Sequence, residues 1–196
     1  MPVLVEPALP TGILRDEEQP RLMGDGLVLR PWGVDDAPLV REAFECPDIQ
    51  RWHVRRLDTA EEAIEWTVQW PLRWAAEEAV SWAIVDDGNE PVGQVGLRSI
   101  SLAEAVAGVS YWVLPAARGR GLAVRAVQVM CDWAFGEVGL HRLENHHSTL
   151  NDASCRVAEK TGFAHEGTLR QAIKHADGWH DWHVHGRLRA EVLGGQ

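Results

Sequence analysis

Apolar residues alternate with polar ones in some stretches of the chain and recur every three to four residues in others, and these two periods divide it into elements. Leu27-Val28-Leu29-Arg30, after Gly26, predicts a first strand. Asp35-Asp36 open a helix carrying Leu39, Val40, Ala43 and Phe44, which stops before Pro47 because a residue preceding proline is pushed out of the helical region. Thr59 with Glu61-Glu62 predicts an N-cap and an acidic first turn, favoured by the helix dipole. The helix that follows carries Trp66, Trp70 and Trp74 at i, i+4, i+8, and Pro71 inside it predicts a kink or a restart. The tryptophan stripe reads first as core packing and second as the wall of a substrate pocket.

Three strands are expected next, over 80–85, 91–100 and 106–114, with Asp86-Asp87-Gly88-Asn89 as a hairpin turn. A glycine-rich turn, Arg118-Gly119-Arg120-Gly121, leads into a long helix over 122–138 with Ala126, Val127, Met130, Trp133 and Ala134 at helical spacing and Gly139 at its end. A strand over 142–147 follows, then a short helix over 151–161 capped by Asn151 or Asp152 and closed by Gly162. Strands over 163–169 and 180–188 complete the pattern. The strand–helix–strand crossover in the second half requires a parallel pair and the hairpins before it require antiparallel ones. The fold class is therefore α/β, with a mixed, mostly antiparallel sheet covered by helices on both faces.

Composition narrows this further. With 196 residues, 45% of them apolar and 24% charged, the chain is long enough for one well-buried core. Residues 1–24, with Pro2, Pro7, Pro10 and Pro20, read as an irregular arm that is a candidate to cover a neighbouring copy in a homodimer; residues 25–196 read as the domain. The longest uncharged run, the 13 residues 105–117, is shorter than the roughly 18 needed to cross a bilayer. Neither a membrane span nor a secretory signal is expected. Three unpaired cysteines, Cys46, Cys131 and Cys155, argue against a disulfide framework and for the cytoplasm. The net charge of −10 disfavours broad nucleic-acid binding and would attract a cationic partner.

The candidate chemistry centres on the glycine-rich turn. A strand running into such a turn and then a long helix makes an anion site from backbone N–H groups and the positive end of the helix dipole. Arg118, Arg120 and Arg125 add positive charge in an acidic chain, which points to a phosphate-bearing ligand. Neither the phosphate-binding P-loop nor the Gly-x-Gly-x-x-Gly dinucleotide fingerprint is present. Arg118-x-x-Gly121-x-Ala123 resembles the [Gln/Arg]-x-x-Gly-x-[Gly/Ala] coenzyme A motif of the GCN5-related N-acetyltransferases (the GNAT superfamily). Gly139-Leu140-His141-Arg142-Leu143, Asn151-Asp152-Ala153-Ser154, Glu159-Lys160-Thr161-Gly162-Phe163, Glu166-Gly167 and Gly178-Trp179-His180-Asp181 are similar to the branch that acetylates ribosomal-protein N-termini. The likeness runs from about Gly26 to Glu191.

The resemblance implies a sheet with splayed strands and acetyl-CoA as co-substrate. Val113 and Leu114 would hydrogen-bond the pantetheine arm, and Arg118, Gly119, Arg120, Gly121, Leu122 and Ala123 would wrap the pyrophosphate with main-chain amides. Asn151 would contact the pantetheine, and Ser154 would protonate the leaving thiolate. Trp32, Trp52 and Tyr111 are candidates for the acceptor pocket. An amine must lose a proton before it attacks a thioester. The position that often carries an acid in this branch is Gly108 here, so Glu144, His146 and His147 are the substitute bases to consider. Asn151, Asp152 and Ser154 also admit a plainer reading as helix cap and first-turn residues. His180-x-x-His183 has a ligand-like look, but residues three apart on a strand point to opposite faces; His183 and His185 share one, and no metal is expected. The expected function is direct acetyl transfer to a primary amine, on a protein N-terminus or a small molecule. The alternatives are a non-catalytic acyl-CoA-binding module and an aminoglycoside-type resistance enzyme.

Overall fold

A computed structural model describes residues 4–86, 88 and 90–193. Eight strands form one sheet in the order β1-β2-β3-β4-β5-β6-β8-β7. β1 (Leu22–Gly24), β2 (Leu27–Pro31), β3 (Val80–Val85), β4 (Pro91–Ser101) and β5 (Val106–Val113) are successive antiparallel neighbours. β6 (Arg142–Ser148) joins β5 in parallel, as the helical crossover between them demands. The last two strands, β7 (Ala164–His175) and β8 (Gly178–Leu188), form a hairpin longer than the sequence pattern suggests, and β8 inserts beside β6 so that β7 becomes the edge. Asp87 and Asn89 of the expected β3–β4 turn lie outside the described residues; β3 and β4 themselves pair antiparallel as far as Val85 and Pro91.

Helices cover both faces, which is why most of β3 is buried on either side. On one face, α1 (Ala37–Glu45), α2 (Pro47–Gln50) and α3 (Ala60–Ala75) enclose a core of Trp32, Val40, Phe44, Ile49, Ala83 and Trp112. On the other, α4 (Leu122–Trp133) packs Leu122, Val127 and Met130 on Leu29, Val95 and Leu143 of the sheet. α4 widens into a π turn over Ala134–Val138 and ends at Gly139, whose φ of 84° only glycine adopts freely. α5 (Asp152–Lys160) lies on this same side through Ala158, and α6 (Arg189–Leu193) ends the described chain.

Two expectations change. α3 continues through Pro71 without a restart. Its capping box, with the Glu62 N–H donating to Thr59 Oγ1 (3.2 Å) and the Thr59 N–H to Glu62 Oε2 (3.1 Å), fixes one end. Trp70 and Trp74, on either side of the proline, anchor the other in the two cores, so packing outweighs the lost hydrogen bond. The arm, expected to be irregular, includes β1 and closes on its own chain. Leu14 is in the core, Trp74 Nε1 donates to the Glu17 carbonyl (2.8 Å), and Trp82 Nε1 donates to that of Pro20 (2.8 Å). The buried Glu77 carboxylate accepts from the N–H groups of Gly12 (2.9 Å) and Leu14 (2.9 Å).

Candidate active site

β5 and β6 pair only from Val106 to Gly108 and then diverge, β5 staying with β4 as far as Val113 and β6 with β8 as far as Ser148. The fork opens a cavity of about 330 Å³. Strand alternation sorts its walls. Ser110, Trp112, His146 and Ser148 face the α1–α3 side; Tyr111, Asn145 and His147 face α5. The Tyr111 hydroxyl spans the fork, accepting from Asn145 Nδ2 (3.1 Å) and donating to the Ser154 carbonyl (3.3 Å). Burial raises its pKa, the bonds to Asn145 and Ser154 opposing that only in part.

Just past the fork, β5 runs into the glycine-rich turn. Gly119 (φ 78°) and Gly121 (φ 73°) both adopt the left-handed conformation, which is the local reason for glycine at these positions. Gly121 is the N-cap of α4 and supplies no side chain to its orphan first-turn amides, so those of Leu122 and Ala123 stay open to a ligand. Leu122 offers its backbone alone, its side chain being buried in the core. The arginines are less free than their sequence suggests. Arg118 donates through Nη1 to Asp48 Oδ2 (2.7 Å) and through Nε to the Val113 carbonyl (3.1 Å). Arg120 pairs with the buried Asp86, and Arg125 donates to the Asp25 carbonyl (2.7 Å). The anion-binding capacity of the turn therefore resides mainly in its amides. Of the two residues expected to bond a pantetheine, Leu114 gives its N–H to the Val92 carbonyl (2.9 Å), whereas Val113, one residue back, turns its backbone to the open fork.

The proposed bases separate by face. Glu144 lies outside the cavity, where Arg142 Nε donates to its Oε1 (2.8 Å). His146 is inside, with Nε2 3.5 Å from Glu144 Oε2; burial lowers its pKa, Glu144 opposing that, so it is neutral near pH 7. His147 turns towards α5, away from the α1–α3 side. Asn151 and Ser154 both line the cavity, and Asn151 also caps α5, its Oδ1 accepting from the Ser154 N–H (3.1 Å). Trp52 lines the cavity. Trp32 does not: it is buried in the core, its Nε1 donating to Ser81 Oγ (3.0 Å). Trp66 and Trp70 take the wall position instead, while Trp74 is core.

Two arrangements escape sequence reasoning because they depend on register. Ser148 Oγ lies 2.8 Å from His180 Nδ1, and His180 Nε2 lies 2.9 Å from Asp177 Oδ1. A carboxylate only accepts, so Nε2 carries the proton and Nδ1 receives from the serine hydroxyl. The chain leads from the cavity to the exposed Asp177. Opposite Gly108 stands Arg98. A Cβ at position 108 would come within 3.3 Å of Arg98 Cγ, so the glycine makes room for the arginine stem. Burial lowers the Arg98 pKa, and no carboxylate among the described residues lines the cavity with it. The cavity is basic inside an acidic protein, against the expectation of a cationic acceptor.

Comparison with known proteins bears on this geometry. The family model described as an acetyltransferase (GNAT) domain matches residues 26–164. The uncharacterized N-acetyltransferase YoaA of Bacillus subtilis is 27% identical over 154 residues, covering 78% of this chain and 87% of its own. Among solved structures, RimL, a ribosomal L7/L12 alpha-N-protein acetyltransferase in complex with coenzyme A, superposes with a TM-score of 0.80 at 20% identity, over 86% of this chain and 98% of its own. The ribosomal-protein-S5-alanine acetyltransferase of Vibrio fischeri gives 0.78 at 21% identity, over 87% and 97%. The fork between β5 and β6, the uncapped α4 N-terminus and the match across most of the domain lead to one assignment: the chain belongs to the acetyltransferase (GNAT) family and is an N-acetyltransferase.

Proposed function

We propose that the chain transfers the acetyl group of acetyl-CoA directly to a primary amine, and that the amine is a protein N-terminus with an acidic group close by. The observation that carries this reading is the fork itself, which opens a basic, tryptophan-lined cavity and leads along β5 to the open amides at the start of α4. The residues fit the coenzyme: the glycine turn and the first amides of α4 suit the pyrophosphate, and the Val113 N–H on the fork-facing edge of β5 suits a pantetheine carbonyl, the Val113 carbonyl being held by Arg118. The bound thioester supplies an activated acetyl group. Ser154, whose hydroxyl no described residue engages, holds a proton for the departing sulfur, with Tyr111 beside it. On the other side, Ser148 receives the amine's proton as its own passes to His180 Nδ1, and Asp177 steadies the imidazolium that forms. His146 is a neutral second acceptor on the same face.

Arg98 and Arg55, with Trp52, Trp66 and Trp70, favour an acceptor whose amine is followed by acidic or apolar groups over a polycationic aminoglycoside. The protein acetyltransferases among the structural neighbours support a protein acceptor, and we read the chain as cytoplasmic on that basis. Among the described residues no helix is long and apolar enough to cross a membrane. The test is thiol release from acetyl-CoA with N-terminal peptides that are acidic or basic at the second to fourth positions, and with aminoglycosides. Acidic peptides are expected to give kcat/KM values at least about tenfold higher than basic ones, a difference of ~1.4 kcal/mol. Acetyl-CoA binding without thiol release on any amine would instead mark a binding module.

A further inference from the structure

Outside the acetyl-transfer groups, one cluster has no role in the reaction described above. The register of β6 and β8 sets His147 directly opposite His183, and alternation brings His185 to the same face. The first turn of α5 places Cys155 against this face. One nitrogen from each imidazole and the Cys155 sulfur all lie within 4.8 Å of one another. Two of the rings are already oriented. His147 Nδ1 lies 3.0 Å from the Ser148 carbonyl and His185 Nδ1 3.5 Å from that of Phe163. A carbonyl only accepts, so each Nδ1 carries the proton and each Nε2 presents a lone pair. His147 and His185 are 6% and 1% exposed, and their Nε2 atoms have no hydrogen-bond partner among the described residues, nor has His183 Nδ1. Buried polar atoms left without partners are rare in folded proteins and call for an explanation.

We propose that His147, Cys155, His183 and His185 form a tetrahedral zinc site. Three imidazoles and one thiolate are a ligand set that zinc favours over harder cations. Backbone carbonyls holding the remote ring nitrogens are the outer support metal-ligating histidines require. Metal binding displaces the Cys155 thiol proton to solvent. Zn–N bonds of about 2.0–2.1 Å and a Zn–S bond of about 2.3 Å require the ligand atoms to draw in by roughly 1 Å, within reach of side-chain rotation. With all four positions filled by protein, the ion is structural. It ties the first turn of α5, which carries Ser154 and follows Asn151, to β6 and β8. The sequence hints only at the His183–His185 pair; His147 and Cys155 join it through register and helix packing.

The site does not depend on the acetyl-transfer reading, so its test reads metal alone. The full chain, stripped with a chelator and dialysed against zinc, is expected to retain about one equivalent with a Kd below roughly 1 μM in competition with a chromophoric chelator. Loaded with cobalt(II), it should show the strong visible bands of a tetrahedral site and a thiolate-to-cobalt charge-transfer band. Cys155→Ser should lose the charge-transfer band, and His183→Gln should weaken zinc binding by about 100-fold, circular dichroism confirming that both fold. Zinc retention by the wild type no greater than by His183→Gln, or a cobalt spectrum that is octahedral and lacks the thiolate band, overturns the proposal.

Discussion

At the scale of single residues, the site is set by small side chains as much as by reactive ones. Gly108 leaves room for Arg98, which puts a desolvated cation in the cavity. Gly121 does the reverse at the other end of the fork, holding a left-handed turn and leaving the α4 amides uncovered. Gly121→Val forces a β-branched residue into φ 73° and covers the amides, so acetyl-CoA affinity measured by titration calorimetry should fall at least tenfold, about 1.4 kcal/mol, with the far-ultraviolet spectrum unchanged. His180→Gln removes the proton acceptor behind Ser148 but keeps a polar side chain. It should lower kcat roughly 100-fold, with a smaller effect on KM. An unchanged kcat would assign proton removal to His146.

At the scale of elements, the arm and the end of α3 act as one unit. Glu77 sits just past the α3 terminus at φ 58°, a conformation few non-glycine residues hold without help from their surroundings. Burial would raise its carboxyl pKa, but the N–H donors of Gly12, Leu14 and Arg15 outweigh that and hold it below the usual range. Glu77→Gln keeps the shape and removes the charge from those bonds. It should destabilise the protein by about 1–3 kcal/mol in urea unfolding and expose the arm to limited proteolysis ahead of the domain. The α5 terminus has a similar dual character: Asn151 caps the helix and also lines the cavity.

At the scale of the whole molecule, the response to acid depends on the histidines that folding buries. One of them lies on the α1–α3 side. His53, against Phe44, is pushed by burial down to about 4 from an ordinary 6.5. Between those values the unfolded chain binds a proton that the folded chain refuses, so this contribution is complete above pH 6.5 and is lost as pH falls towards 4. Glu77, also lowered when folded, contributes stability above its ordinary 4.5 and loses it as pH falls further. The urea midpoint should therefore be flat near neutrality and decline below pH 6.5. His53→Phe should recover about 2 kcal/mol of the loss at pH 4, allowing for partial hydration of the ring. An identical decline in the variant would remove His53 from the account.

Local chemistry is what the sequence determines by itself. The element order, the α4 helix and its glycine turn, the Asn151 cap and the parallel crossover all follow from periodicity, capping and chain connectivity, because each depends on neighbours close along the chain. Tertiary structure alone decided where β5 and β6 part, that Trp66 and Trp70 face the cavity while Trp32 and Trp74 are buried in the cores, that Arg98 occupies the space beside Gly108, and that Ser148 meets His180. It also turned Arg118 and Arg120 towards Asp48 and Asp86 and docked the arm on Glu77. These outcomes depend on strand register and helix packing between residues far apart in the chain, where a shift of one position would send every side chain of a strand to the opposite face.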